Sequence, residues 1–329
     1  MDLKLKQKEA NGLGGLYLSI LLVSIGMSLL IRVILGVVLQ GMISVPVWMS
    51  VFMAQVFLVI PAFIYLPTKE GTFRGQLGFR KIRPATILLS LLMTLAVWPI
   101  FTFVNVLSQF VVPNTVVTVM EEVSGSTSST VFTLLASTVL APICEEIVFR
   151  GVFAKRYDAI TSSLRAGLIS GLFFGIVHMN LNQMGYAFVL GVFFALANKA
   201  AGSIFPSIIM HVVINLVNMV ALLTSQTMMA NNGTSMMEAM ENINMKSVLL
   251  IALVIYFVMA VAGLAAAIPC LEFMAKTEGR LEEYKRDLLK KQDGEEQFEH
   301  PRLLLNIPTI LGLAVGIIII ILSVVNSIA

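Results

Sequence analysis

Nine apolar runs, most of them long enough to cross a bilayer, constrain this chain more than any other feature. A helix traverses the hydrocarbon core in about 20 residues. Runs suited to that length fall at 16–43, 47–66, 85–110, 131–153, 164–179, 184–197, 204–223, 248–268 and 307–328. The fifth and sixth are short and separated only by Asn180-Leu181-Asn182-Gln183, so they also read as a tight helical hairpin that does not fully span. Composition agrees: 57% of residues are hydrophobic and 12% charged, where a soluble domain carries about 25% charged residues. The apolar surplus must face lipid. The expected fold class is all-α, a polytopic transmembrane helical bundle of about eight to nine spans. Residues 1–329 read as a single membrane domain with no internal repeat.

Placement of charge orients the bundle. Lys and Arg concentrate in cytoplasmic loops. Here they fall in the N-terminal arm (Lys4, Lys6, Lys8), after the second span (Lys69, Arg74, Arg80, Lys81, Arg83) and after the fourth (Lys155, Arg156, Arg165). They recur after the sixth (Lys199) and after the eighth (Lys276 through Arg302), and only Lys246 breaks the alternation. Nine spans with the N-terminus cytoplasmic and the C-terminus outside satisfy the pattern. The first run is too long for the apolar core of a cleavable signal peptide, so it reads as a span. The implied location is an integral membrane protein, in the plasma membrane if the chain is prokaryotic. The net charge of +3 points to no nucleic-acid partner.

Outside the spans, 271–303 is charged, with Leu281, Tyr284 and Leu288 at helical spacing. It reads as a solvated cytoplasmic helix, followed by an extra C-terminal span at 307–328. The methionine-rich segment 224–246 reads as an outer loop carrying one sequon, Asn232-Gly233-Thr234. Cys144 and Cys270 have neither disulfide-framework nor metal-ligand spacing.

Charged groups inside a span are costly, about 2.5–3.5 kcal/mol each at the centre on insertion scales, and are functional candidates by default. They cluster in three spans. The fourth carries Pro142-Ile143-Cys144-Glu145-Glu146, then Arg150. Glu146 and Arg150, four apart, share a helix face and are expected to pair. That leaves Glu145 without a local counter-charge, and an acid so placed suits general-base work. Pro142 has no N–H for the carbonyl of Thr138 and should kink the helix just before the acids. The fifth span has Gly167, Gly171 and Gly175 at four-residue spacing, a pattern that admits a closely packed helix, then Phe174 and His178. The seventh carries Ser207, His211, Asn215 and Asn218 as a polar stripe expected to face away from lipid. A lone intramembrane histidine is more often a packing residue than a catalyst. Two of the chain's three histidines beside an unpaired Glu and an Asn shift that balance toward water activation and oxyanion stabilisation.

Glu-Glu-x-x-x-Arg (Glu145, Glu146, Arg150), Phe-x-x-x-His (Phe174, His178) and His-x-x-x-Asn (His211, Asn215) occur in that order on apolar spans. The sequence thereby resembles the CPBP (Abi) family of CAAX prenyl proteases and bacteriocin-processing or immunity enzymes, over a core of about 131–223. The resemblance implies an intramembrane endopeptidase acting on a membrane-associated or lipidated peptide or protein, with its site opening toward the cytoplasm. It implies that Glu145 activates the hydrolytic water, His178 helps to position it, and His211 and Asn215 stabilise the oxyanion. Glu146, Arg150 and Phe174 would support the site. The family is commonly labelled metal-dependent, while direct activation by glutamate is also proposed for it. Zinc stays open: Glu145, His178 and His211 could supply three ligands, but there is no His-Glu-x-x-His, and a ligating Glu145 would no longer be the free base.

Other readings of the same residues are a proton-coupled transporter, since Glu, His and Asn are the parts of proton relays, a non-catalytic scaffold or immunity protein on the same fold, and a Cys144 thiol nucleophile. One expectation conflicts with a shared site. Glu145 lies about 8 residues from the end of its run, and His178 about 14 from the start of its own. At 1.5 Å per residue their depths differ by about 10 Å. For them to meet, the fifth helix must begin later, tilt, or sit low.

Overall fold

The computed structural model describes residues 3–38, 45–112, 127–231, 244–289 and 304–328. Among these there are helices and no strands. In chain order they are α1 (Leu3–Val33, continued by a π-helical stretch, Ile34–Val38), α2 (Val47–Tyr65), α3 (Phe73–Leu77), α4 (Pro84–Ser108), α5 (127–158), α6 (Ser163–Val177), α7 (Leu181–Ala201), α8 (Phe205–Asn231), α9 (Met245–Thr277), α10 (Leu281–Leu288) and α11 (Ile307–Ile328). Eight are long and apolar enough to cross a membrane, and α6 is a ninth, shorter apolar helix. The all-α polytopic bundle of eight to nine spans is therefore observed, and the chain is an integral membrane protein.

Several boundaries differ from the sequence reading. The first helix starts at Leu3 rather than at 16, so Lys4, Lys6 and Lys8 are helical. The sixth span is not short: α7 has 21 residues because Asn180 caps its start, accepting from the Gln183 N–H at 2.8 Å. The seventh runs on to Asn231, so the first part of the expected 224–246 loop is helix. The sequon Asn232-Gly233-Thr234 lies outside the described residues, as does 290–303.

Small residues set the closest packing. A Cβ on Gly171 would stand 2.8 Å from the Phe188 carbonyl oxygen, and one on Gly175 2.6 Å from that of Met184. The glycine stripe of α6 is thus the seat of α7, the next helix in the chain. The reversal between them takes three residues and passes through Met179 at φ 55, a left-handed conformation costing a non-glycine residue roughly 1–2 kcal/mol. On the other flank α11 packs against α1, where Asn306 donates to the Ala10 carbonyl at 2.9 Å. Tyr17 of α1 stacks on Phe173 of α6, centroids 3.9 Å apart.

The basic loops gather at one end of the bundle. Glu9 bridges Lys69 (2.7 Å) and Arg156 (3.0 Å), the Ile204 N–H bonds the Gly78 carbonyl, and Lys199 holds Asp158 and Asp287 at 2.8 and 2.9 Å. Through these bonds α10 is docked rather than merely solvated. Tyr284 is buried, and burial pushes its phenol up to about 12. The helical spacing of Leu281, Tyr284 and Leu288 is real, but that face packs on α7 and α9.

Candidate active site

The site is built where α5 departs from α geometry. Residues Ala136–Leu140 and Ile147–Ala154 are π-helical, on either side of the α turn Ala141–Glu146. Proline accounts for the first. In the π register the carbonyl of residue i bonds the N–H five residues on, as the Ala141 N–H does to Ala136. The next such pair is Ser137 with Pro142, which has no N–H to give. Asn215 of α8 fills the place, its Nδ2 donating to the Ser137 carbonyl at 3.0 Å. The expected break before the acids is therefore a change of register, and one hydrogen of the Asn215 amide satisfies the carbonyl it orphans.

Below that turn the charged side chains converge. Glu146 is fully buried, and its Oε1 stands 3.1 Å from Arg150 Nη1, the pair expected from their spacing. The same oxygen accepts from His211 Nδ1 at 2.9 Å. A carboxylate only accepts here, so Nδ1 carries the hydrogen and Nε2 is turned the other way. Nε2 faces Glu145 Oε2 at 3.6 Å, too long for a direct hydrogen bond and suited to a bridging water. The other Glu145 oxygen accepts from Gln55 of α2 at 3.2 Å. The Arg150 guanidinium lies over the Phe174 ring (4.4 Å) and the Phe194 ring (5.1 Å).

His178 joins through aromatic contact. Its ring stands 4.9 Å from Phe174, which in turn is 5.7 Å from His211. Its Nδ1 lies 2.7 Å from the Phe174 carbonyl, so Nδ1 donates and Nε2 is left available. The depth conflict disappears because α5 does not end at 153. It continues to Asp158, thirteen residues past Glu145, while His178 lies fifteen past the start of α6. Both are then about 20 Å from the same end of the bundle.

The structure thus brings Glu145, Glu146, Arg150, Phe174, His178 and His211 together, with Asn215 one turn away along α8. The polar stripe on α8 is shorter than expected: Ser207 and His211 are buried, Asn215 is half-buried, but Asn218 is exposed. Gln55, Phe194 and Asn198 were not read from the sequence as site residues. Asn198 clasps Ser207 twice, at 2.7 and 3.0 Å, and ties the end of α7 to the start of α8. Gln55 had a readable signal, a lone amide in an apolar span. Phe194 had none, being one apolar residue among many.

No group of three or more His, Cys, Asp or Glu side chains comes together in a metal-holding arrangement among the described residues. Glu145, His178 and His211 do not form such a group in this structure. A cavity of about 330 Å³ opens at the basic end, between α5, α6, α7 and α10. Arg150 reaches it, while Glu145, His178, His211 and Asn215 do not line it.

Fold and site together define a polytopic helical membrane protein with a buried carboxylate–histidine cluster. Residues 127–217 match the family model described as Type II CAAX prenyl endopeptidase Rce1-like. The chain is 35% identical over 83 residues to a Bacillus subtilis (strain 168) protein named "Putative membrane peptidase YdiL". That alignment covers 25% of this chain and 34% of that protein, so the match spans about a third of the relative's length. No solved structure matches. The segment matched by the family model, 127–217, is the one that carries all three motifs, from Glu145 to Asn215.

Proposed function

We propose that this protein is an intramembrane endopeptidase that hydrolyses a peptide bond in a membrane-associated or lipidated peptide or protein, with Glu145 as the general base. The observation that carries this reading is the relay Arg150–Glu146–His211–Glu145, linked at 3.1, 2.9 and 3.6 Å. In it one carboxylate is neutralised and tied back, and the other is left facing an imidazole across the width of a water.

The reaction follows from these positions. Water held between Glu145 Oε2 and His211 Nε2 gives a proton to Glu145 as its oxygen attacks the scissile carbonyl carbon. The lone pair of His178 Nε2 orients that water. The oxyanion formed is stabilised from the His211 side, where Glu146 holds the ring by accepting at Nδ1. The second hydrogen of the Asn215 amide is the other oxyanion donor. On collapse the C–N bond breaks and Glu145 returns its proton to the leaving amine, giving a carboxylic acid and a free amine. We take water activation to proceed at Glu145 itself, with a zinc ion on Glu145, His178 and His211 as the competing arrangement.

The test is cleavage of a quenched-fluorescent lipidated peptide by the purified protein in proteoliposomes. Glu145→Gln and His211→Ala are expected to lose cleavage by at least about 100-fold while staying helical and monodisperse in detergent. Undiminished cleavage in either variant overturns the assignment. Proton-coupled flux without peptidase activity would instead support a transporter.

A further inference from the structure

We infer that Gln55, on a span outside the family-matched core, is a positioning residue of the site that selects which oxygen of Glu145 receives the proton. The inference rests on the endopeptidase reading above. Gln55 sits in the middle of α2, within the otherwise apolar run Val-Trp-Met-Ser-Val-Phe-Met-Ala-Gln-Val-Phe-Leu-Val-Ile. It is 8% exposed. Its Nε2 donates to Glu145 Oε1 at 3.2 Å across 90 residues of sequence. Its Oε1 is buried without a hydrogen-bond partner among the described residues.

That last fact separates the inference from simple packing. A buried amide acceptor with no donor is a cost that Leu or Met at this position would avoid at similar volume. The amide is also oriented by its neighbour: only the NH₂ end can face a carboxylate. What the side chain contributes is therefore concentrated in one bond, the one to Glu145.

The consequence is geometric. Glu145 is partly exposed, with 14% of its side chain accessible, and its helix lies between two register changes. Its carboxylate needs an external brace. Gln55 occupies Oε1 and leaves Oε2 directed at His211 Nε2, the edge where water is activated. The base is thus held from two sides, by α2 on one oxygen and by α8 opposite the other. This places α2, which the family match over 127–217 does not reach, in the working part of the molecule.

The experiment compares wild type, Gln55→Met and Gln55→Glu in proteoliposomes by steady-state cleavage, and by infrared difference spectroscopy of the Glu145 carboxyl band assigned with Glu145→Gln. Gln55→Met, apolar and similar in size, should lower kcat by about 10- to 100-fold with KM changed less than about 2-fold, and should shift the Glu145 band. Gln55→Glu, which sets an acceptor against an acceptor, should lower kcat further. Wild-type kcat in Gln55→Met overturns the inference, and so does a loss of kcat with the Glu145 band unmoved. If Glu145→Gln itself cleaves normally, the endopeptidase assignment fails, and the band shift still decides whether Gln55 holds Glu145. Should Gln55→Met fail to yield folded protein while Gln55→Glu folds with wild-type kcat, the inference is likewise overturned.

Discussion

Replacing Glu146 or Arg150 singly should destabilise this protein severely, whereas replacing both together should cost little. Both side chains are fully buried, with Nη1 and Oε1 3.1 Å apart. Removing one member of a buried ion pair strands the other charge and costs about 3–5 kcal/mol. The structure ranks the two variants within that range. In Arg150→Met the stranded carboxylate keeps the His211 N–H at 2.9 Å, which places the loss near the lower end. In Glu146→Gln the guanidinium is left with an amide oxygen and the faces of Phe174 and Phe194, which places it near the upper end. The double variant has no stranded charge, and the amide that replaces the Glu146 carboxylate still offers an oxygen to His211, so its loss should be about 1 kcal/mol. The implied coupling is at least about 5 kcal/mol. Reversible unfolding in mixed micelles, read by circular dichroism on the four proteins, measures it. A double variant whose loss equals the sum of the singles to within about 0.5 kcal/mol would refute a charge-balanced core at this point.

Three further outcomes follow from the geometry. Asn215→Leu should lose about 1–3 kcal/mol of stability because the Ser137 carbonyl, facing Pro142, is left without a donor; an unchanged unfolding midpoint would show that the carbonyl finds another partner. Gly171→Ala sets a Cβ 2.8 Å from a backbone oxygen that cannot swing away and should cost about 1–3 kcal/mol, whereas Gly15→Ala meets nothing within 4 Å and should cost nothing measurable. Chelation with EDTA or phenanthroline should leave peptide cleavage intact if Glu145 acts on water directly; activity removed by chelator and restored by zinc would establish the metal arrangement instead.

Much of this architecture was legible in the sequence because a bilayer admits so few solutions. Every backbone group of a span must be bonded within it, so nine apolar runs could only be helices, and their number follows from counting. The Glu146–Arg150 pair was legible from four-residue spacing, and the glycine stripe of α6 from the same period. The helix ends were less so. The run at 131–153 stops where polar residues begin, but α5 continues to Asp158, because Lys155 donates to the Gly75 carbonyl and Arg156 pairs with Glu9. Hydropathy cannot register such contacts between distant segments. Nor could it tell that Asn218, two turns along α8 from the buried His211, would be exposed.

By itself the chain's order of residues determined that this is a helical membrane protein, which acids and histidines lie inside it, and which of them share a helix face. Periodicity and solvation act along one helix at a time, so they settle such questions locally. Only the packed structure decided that His211 turns Nδ1 to Glu146 and Nε2 to Glu145, that Asn215 mends the break made by Pro142, and that Gln55 reaches Glu145 from a helix 90 residues away. Those are choices of partner between helices. They depend on which helices touch and at what height, and no spacing within a single span contains that information.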